Sequence, residues 1–135
     1  MIERPEVCVG AVAVDAGRLL LVRRARPPFA GSWSIPSGRV EGGETLGEAV
    51  LRELAEETGL EGLCGELVDW VESIGDDHHH VIFDFFVEVL EPELVRAGDD
   101  AAEVAWVRLE DVVELPLAEG LAEFLHEHGV VATIV

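Results

Sequence analysis

The stretch Gly38–Leu60, GRVEGGETLGEAVLRELAEETGL, constrains this chain more than any other. It reads as a glycine-bearing loop feeding one acidic helix. Thr45 is placed to cap that helix with its hydroxyl, and Glu48, three residues on, completes a capping-box pattern. Gly59 offers the left-handed residue on which helices commonly end. At about 100° per residue, Glu53, Glu56 and Glu57 fall within an arc of roughly 100°. Gly47, Leu51, Leu54 and Thr58 share another side, small or apolar enough to lie on a sheet.

Three carboxylates that close repel one another, and each stays ionised only with something positive among them. A hard divalent cation with oxygen ligands fits, Mg²⁺ being usual where phosphates supply the remaining ligands. Arg52 reaches Glu48 or Glu56 at four-residue spacing, a contact that would fix the direction of a carboxylate. The bland alternative is a solvated acidic helix face.

Against that alternative stands the whole pattern. Gly38, Glu44, Arg52-Glu53-Leu54, Glu56-Glu57 and Gly59-Leu60 match, without a departure, the signature of the Nudix hydrolases, G-x5-E-x7-R-E-U-x-E-E-x-G-U with U a bulky aliphatic. Agreement by chance is on the order of one chain in a hundred thousand. The flank Trp33-Ser34-Ile35-Pro36-Ser37-Gly38 also resembles the family's Trp-x-x-Pro-Gly-Gly lead-in, with Ser37 where Gly is commoner. The resemblance implies hydrolysis of a nucleoside diphosphate linked to another group, with Mg²⁺ or Mn²⁺ as cofactor. It implies metal ligation by Glu53, Glu56, Glu57 and the Gly38 carbonyl, with Glu44 and Arg52 as orienting residues. In the family a loop ahead of a late strand often adds an acidic residue, so Glu103 and Asp100 join the motif glutamates as catalytic candidates.

Charge limits the partners. A net charge of −19 argues against a nucleic-acid polymer, whose phosphates need a basic surface. A single nucleotide remains possible, because a metal ion and a few arginines reverse the sign of one pocket. The nine basic residues are all Arg, a side chain suited to bidentate phosphate contact. Arg23, Arg24 and Arg26 lie in or beside the loop ahead of the motif and Arg39 inside it. Arg23, Arg24 and Arg39 are the candidate substrate-binding cations, against the plainer reading of exposed charge. His78, His79 and His80 are consecutive, so on a strand they alternate faces and cannot share one metal; His79 is the candidate for touching substrate. Trp33 either stacks on a base or packs under its loop, and packing is the safer reading.

Taken in order, Glu6–Asp15 reads as a buried strand, turning at Asp15-Ala16-Gly17 into a second strand, Arg18–Arg23, as a hairpin. Gly65–Ile74 and His78–Leu90 read as an antiparallel pair, with Val68, Trp70 and Glu72 on one face. Val104–Leu109 is a further strand, Leu109–Val113 and Leu117–His128 are helices, and Val130–Val135 is a terminal strand or a tail packed on a partner. That order predicts one domain over 1–135, an α/β/α sandwich around a mixed sheet. No run approaches 18 apolar residues, the start lacks a signal-peptide pattern, and Cys8 and Cys64 stand apart, so a cytoplasmic chain with reduced thiols and no membrane contact is expected. A small nucleotide substrate and a homodimer are expected as partners. ADP-ribose or another nucleotide sugar leads among substrates, followed by oxidised nucleoside triphosphates. The rivals of other classes are a silent nucleotide-sensing domain and an acidic interaction protein.

Overall fold

The computed structural model describes residues 4–25, 30–98 and 101–132. Strand β1 (Glu6–Val12) leads through Ala13 into β2 (Val14–Asp15), and β3 (Arg18–Arg24) returns. Two short strands follow, β4 (Trp33–Ser34) and β5 (Ser37–Arg39), then helix α1 (Leu46–Thr58). The long strands β6 (Gly62–Ile74) and β7 (His79–Val89) precede β8 (Ala101–Arg108), a 3-10 segment at Leu109–Glu114 and helix α2 (Leu121–Glu127).

One sheet has the order β5-β1-β7-β6 and is mixed, with β1 antiparallel to β5 and parallel to β7. In the second, β3 carries β8 along one edge and β2 and β4 at the two ends of the other. The expected hairpin therefore forms only at its tip, where Val14 and Asp15 pair with Leu19 and Arg18. The rest of the first strand belongs to the other sheet. Ala16 (φ 50°) and Gly17 (φ 74°) supply the two left-handed residues that a two-residue hairpin turn requires.

Alternation along β1 and β3 builds two cores, one on each face. Val9, Ala11 and Leu20 meet Ala49, Val50 and Leu54 of α1. Val12, Leu19 and Leu21 meet Val112 and the Leu121, Phe124 and Leu125 stripe of α2. Helices thus cover both sides of the sheets, and the architecture is the expected α/β/α sandwich.

Two local expectations fail, and a third is covered only in part by the described residues. Strand β6 starts at Gly62, and register shifts around Leu67 break its alternation. Val68 and Val71 consequently share the core under α2, while Trp70 is 52% exposed. Helix α2 begins at Leu121, because Gly120 takes a left-handed conformation (φ 82°) and Leu117 bridges to Trp33 instead. Val130–Ala132 form no strand, and residues 133–135 lie outside the described residues.

Asp84 on β7 is 5% exposed. Burial pushes its carboxyl from an ordinary value of 3.8 up to about 6, with His128 opposing. The folded chain therefore holds this proton more tightly than the unfolded chain. Stability from this group falls as pH climbs from about 4 to about 6, a loss of about 3 kcal/mol. Asp84→Asn is expected to raise the midpoint of thermal unfolding by several degrees at pH 7.5, and the gain should shrink to roughly a third of that near pH 4.5. Equal gains at both pH values would contradict the account.

Candidate active site

Helix α1 is fixed at both ends. Thr45 Oγ1 accepts from the Glu48 amide at 3.1 Å, and Glu48 Oε1 accepts from the Thr45 amide at 2.8 Å. Gly59 (φ 71°) ends the helix and donates its N–H to the Ala55 carbonyl at 2.9 Å. Ala49, Val50, Leu54 and Thr58 are buried, which leaves Arg52, Glu53, Glu56 and Glu57 free to face other partners.

Arg52 is the hub. Its Nε donates to Glu44 Oε2 at 2.7 Å and its Nη2 to Glu44 Oε1 at 3.1 Å, a two-point grip. Nη1 donates to Glu53 Oε1 at 2.7 Å and to Glu56 Oε2 at 3.2 Å, and Nη2 also donates to the Arg39 carbonyl at 2.9 Å. Glu44 is held from behind by the Glu41 amide at 2.9 Å. The Arg52 hydrogen bond, then the Glu41 amide, holds the Glu44 carboxyl below its usual range. Of the two helix partners open to Arg52, it takes Glu56; Glu48 is committed to the cap.

Glu57 sits deeper. Its Oε2 accepts from the Ser37 amide at 3.1 Å. Burial first, and then the neighbouring Glu53 carboxyl, push Glu57 up to about 9, with Ser37 and Arg24 pulling the other way. Glu53 lies against β5, where a Cβ on Gly38 would overlap its carboxyl group. Only glycine allows that approach, so the motif's first residue is set by the carboxylate it must admit.

The donors gathered here are all oxygens, around a carboxyl pair that cannot both ionise unaided. That chemistry fits a hard divalent cation. Arg52 engages Glu53 and Glu56, and among the described residues no three carboxylate, imidazole or thiol groups stand together as a formed metal cage.

Beside these carboxylates opens a cavity of about 750 Å³. Glu53, Glu56 and Glu57 line it with Arg23 and Arg24 of β3, Ser37 of β5 and the loop Arg96–Gly98. The expected substrate residues divide. Arg23 is on the wall but paired with Glu103, its cross-strand partner, through Nε at 3.0 Å and Nη2 at 2.9 Å. Arg24 is on the wall and also engaged. Arg39 is not on it: its guanidinium is exposed and bonds Glu6 at 2.8 Å. Nor is His79, which pairs with Glu72 at 2.9 Å across the β6–β7 ladder. Glu103 points at Arg23 from β8 and does not line the cavity. Asp100 and Arg26 lie outside the described residues. Trp33 is buried in the α2-side core, packed rather than presented to a base. Missed in the sequence were Arg96 and the Ser37 amide. Neither carries a local signal, since the first arrives from a loop far along the chain and the second acts through its backbone.

A sequence profile of the NUDIX domain matches residues 4–128. The chain belongs to the Nudix family. Among Nudix relatives, an ADP-ribose pyrophosphatase of Methanocaldococcus jannaschii is 39% identical over 113 residues, covering 82% of this chain and 66% of that protein. The chain thus spans slightly less than two thirds of that relative. Nucleoside triphosphatase NudI of Escherichia coli is 31% identical over 131 residues, covering 87% of this chain and 90% of that one. The crystal structure of a MutT Nudix hydrolase from Burkholderia pseudomallei superposes with a TM-score of 0.82 at 30% identity, covering 92% and 98% of the two chains.

Proposed function

We propose that this Nudix chain hydrolyses a phosphoanhydride bond in a nucleoside diphosphate linked to another group, with Mg²⁺ or Mn²⁺ as cofactor. The observation that carries the reading is the placement of Glu53 and Glu57 against Gly38 and Ser37, on the wall of a cavity whose other wall is arginine. Glu53, Glu56, Glu57 and the Gly38 carbonyl would hold the ion. When bound, it neutralises charge on the phosphate oxygens and lowers the pKa of an attacking water. The chain's own residues do the rest. Arg52 and Glu44 aim the carboxylates, Arg23 and Arg24 face the phosphates, and one carboxylate among Glu53, Glu56 and Glu57 takes the proton of water, Glu103 being outside the cavity and held by Arg23.

ADP-ribose or another nucleotide sugar is the favoured substrate, a reading supported by the name of the archaeal relative. A nucleoside triphosphate is the second reading, supported by the name of the E. coli relative. A silent sensing domain fits less well, because every acidic position of the motif is intact. The test is a panel of both substrate classes with Mg²⁺ and identified products. ADP-ribose should yield AMP and ribose 5-phosphate, and EDTA should abolish the reaction; hydrolysis of no member of the panel would overturn the proposal.

The proposal extends to a cytoplasmic homodimer. Cys8 and Cys64 are free, and among the described residues no helix is long and apolar enough to cross a membrane. Strand β6 is the last in its sheet, so its outer edge has no strand partner among the described residues, and it exposes Leu63, Leu67, Trp70 and Ile74. A second copy across a two-fold axis would cover that edge. Light scattering should give about twice the 14.6 kDa chain mass, and Trp70→Glu should shift the protein toward one chain. A wild-type mass of a single chain at micromolar concentration would count against the dimer.

A further inference from the structure

Arg96 stands apart among the charged groups of the cavity wall. Arg23 is held by Glu103, Glu53 and Glu56 by Arg52, Glu57 by the Ser37 amide, and Arg24 is engaged as well. The Arg96 guanidinium, exposed on the same wall, makes no hydrogen bond or ion pair with any described residue. Its backbone, by contrast, is held firmly. The Arg96 amide donates to the Thr58 carbonyl at 2.9 Å, and the Gly98 amide donates to the Glu57 carbonyl at 3.0 Å. A Cβ on Gly98 would overlap the Glu56 carbonyl oxygen, so the loop lies flush on the last turn of α1. The stem of Arg96 crosses Gly59, where an added Cβ would meet its Cγ at 2.8 Å and its Nε at 2.9 Å. The motif glycine therefore does two things, ending the helix and seating an arginine.

A fixed backbone, a seated stem and a guanidinium without a partner among the described residues make a ready-made anion contact, with less ordering to be done when the ligand arrives. We propose that Arg96 is a phosphate-binding residue of this site, gripping the diphosphate of the substrate from the wall formed by the loop before β8. The proposal rests on reading the cavity as a diphosphate site. A bidentate guanidinium suits a phosphate, which presents paired oxygens at the matching spacing. The net charge of −19 makes such a cation matter more, because the surrounding field opposes every approaching anion.

The experiment measures binding of inorganic pyrophosphate by calorimetry, with Mg²⁺, to wild type, Arg96→Ala, Arg96→Lys and Arg108→Ala. Arg108 is an exposed arginine paired with Asp111, so its loss controls for net charge alone. Arg96→Ala is expected to weaken binding at least ~10-fold and Arg96→Lys to recover part of it, while Arg108→Ala stays near wild type. Equal affinity in wild type and Arg96→Ala overturns the inference. So does a lowered melting midpoint with unchanged affinity, which would make Arg96 only a cation at the α1 C-terminus. The substrate panel keeps the two readings apart. Wild type that hydrolyses nucleotides while Arg96→Ala binds pyrophosphate normally overturns the role of Arg96 alone. Wild type that neither hydrolyses the panel nor binds pyrophosphate overturns both.

Discussion

Glu57→Gln is expected to lower turnover by ~100-fold or more while the protein stays folded. Gln has the same shape, and its carbonyl can still accept from the Ser37 amide at the position Glu57 Oε2 occupies. What disappears is a negative charge beside Glu53 in a half-buried wall. Without metal, ionisation of Glu57 is opposed, since burial and Glu53 raise its proton affinity. The variant should therefore melt no lower than wild type in EDTA. With Mg²⁺ the ranking should reverse, because a neutral amide is a poorer ligand for a hard cation. The paired measurements are steady-state turnover on a confirmed diphosphate substrate and thermal unfolding with and without Mg²⁺. Near-wild-type turnover at saturating Mg²⁺ would remove Glu57 from the site.

Arg52→Ala is the second large effect, and here both stability and activity should fall. Arg52 is 22% exposed, and it joins Glu44 and Glu53, which are 18% and 15% exposed, as well as the more exposed Glu56. Removing that cation leaves these carboxylates close together without compensation, so the thermal midpoint should fall by several degrees. Turnover should drop ~100-fold or more, because Glu53 and Glu56 lose the group that aims them. Arg52→Lys restores the charge but cannot reach four acceptors from one planar fork, so it should recover stability more than turnover. Melting within about 2 °C of wild type would show that Arg52 does not organise the cluster.

What was legible in the sequence was what is settled within one turn of chain. The Thr45–Glu48 box, the left-handed Gly59 and the acidic face of α1 are all short-range, and each stands where the spacing put it. The sandwich followed because apolar runs on strands and helices leave few ways to cover a sheet on both sides. Misreadings came where a distant partner decides. Nothing within Glu6–Asp15 says that it will desert its hairpin for β7, since parallel pairing depends on residues seventy positions away. The shifts around Leu67 turn Trp70 out and Val71 in, and a two-residue period cannot foresee a bulge. Within the site, Arg39 and His79 looked as eligible as Arg23 by type and neighbourhood. Glu6 and Glu72, reached only by strand pairing, engage both of them.

The loop before β8 is tied to α1 through the main chain: Arg96 N–H to the Thr58 carbonyl, Gly98 N–H to the Glu57 carbonyl. Side chains swing, but these two bonds do not lengthen without breaking. The distance between the Arg96 backbone and the Glu53–Glu57 carboxylates is consequently a ruler built into the main chain. A longer or bulkier leaving group cannot be met by moving that rim outward. Any difference in reach among substrates falls instead to the opposite wall, where Arg23 and Arg24 close β3. Changes of substrate length should accordingly be tuned by mutations in that wall and resisted by mutations in the other.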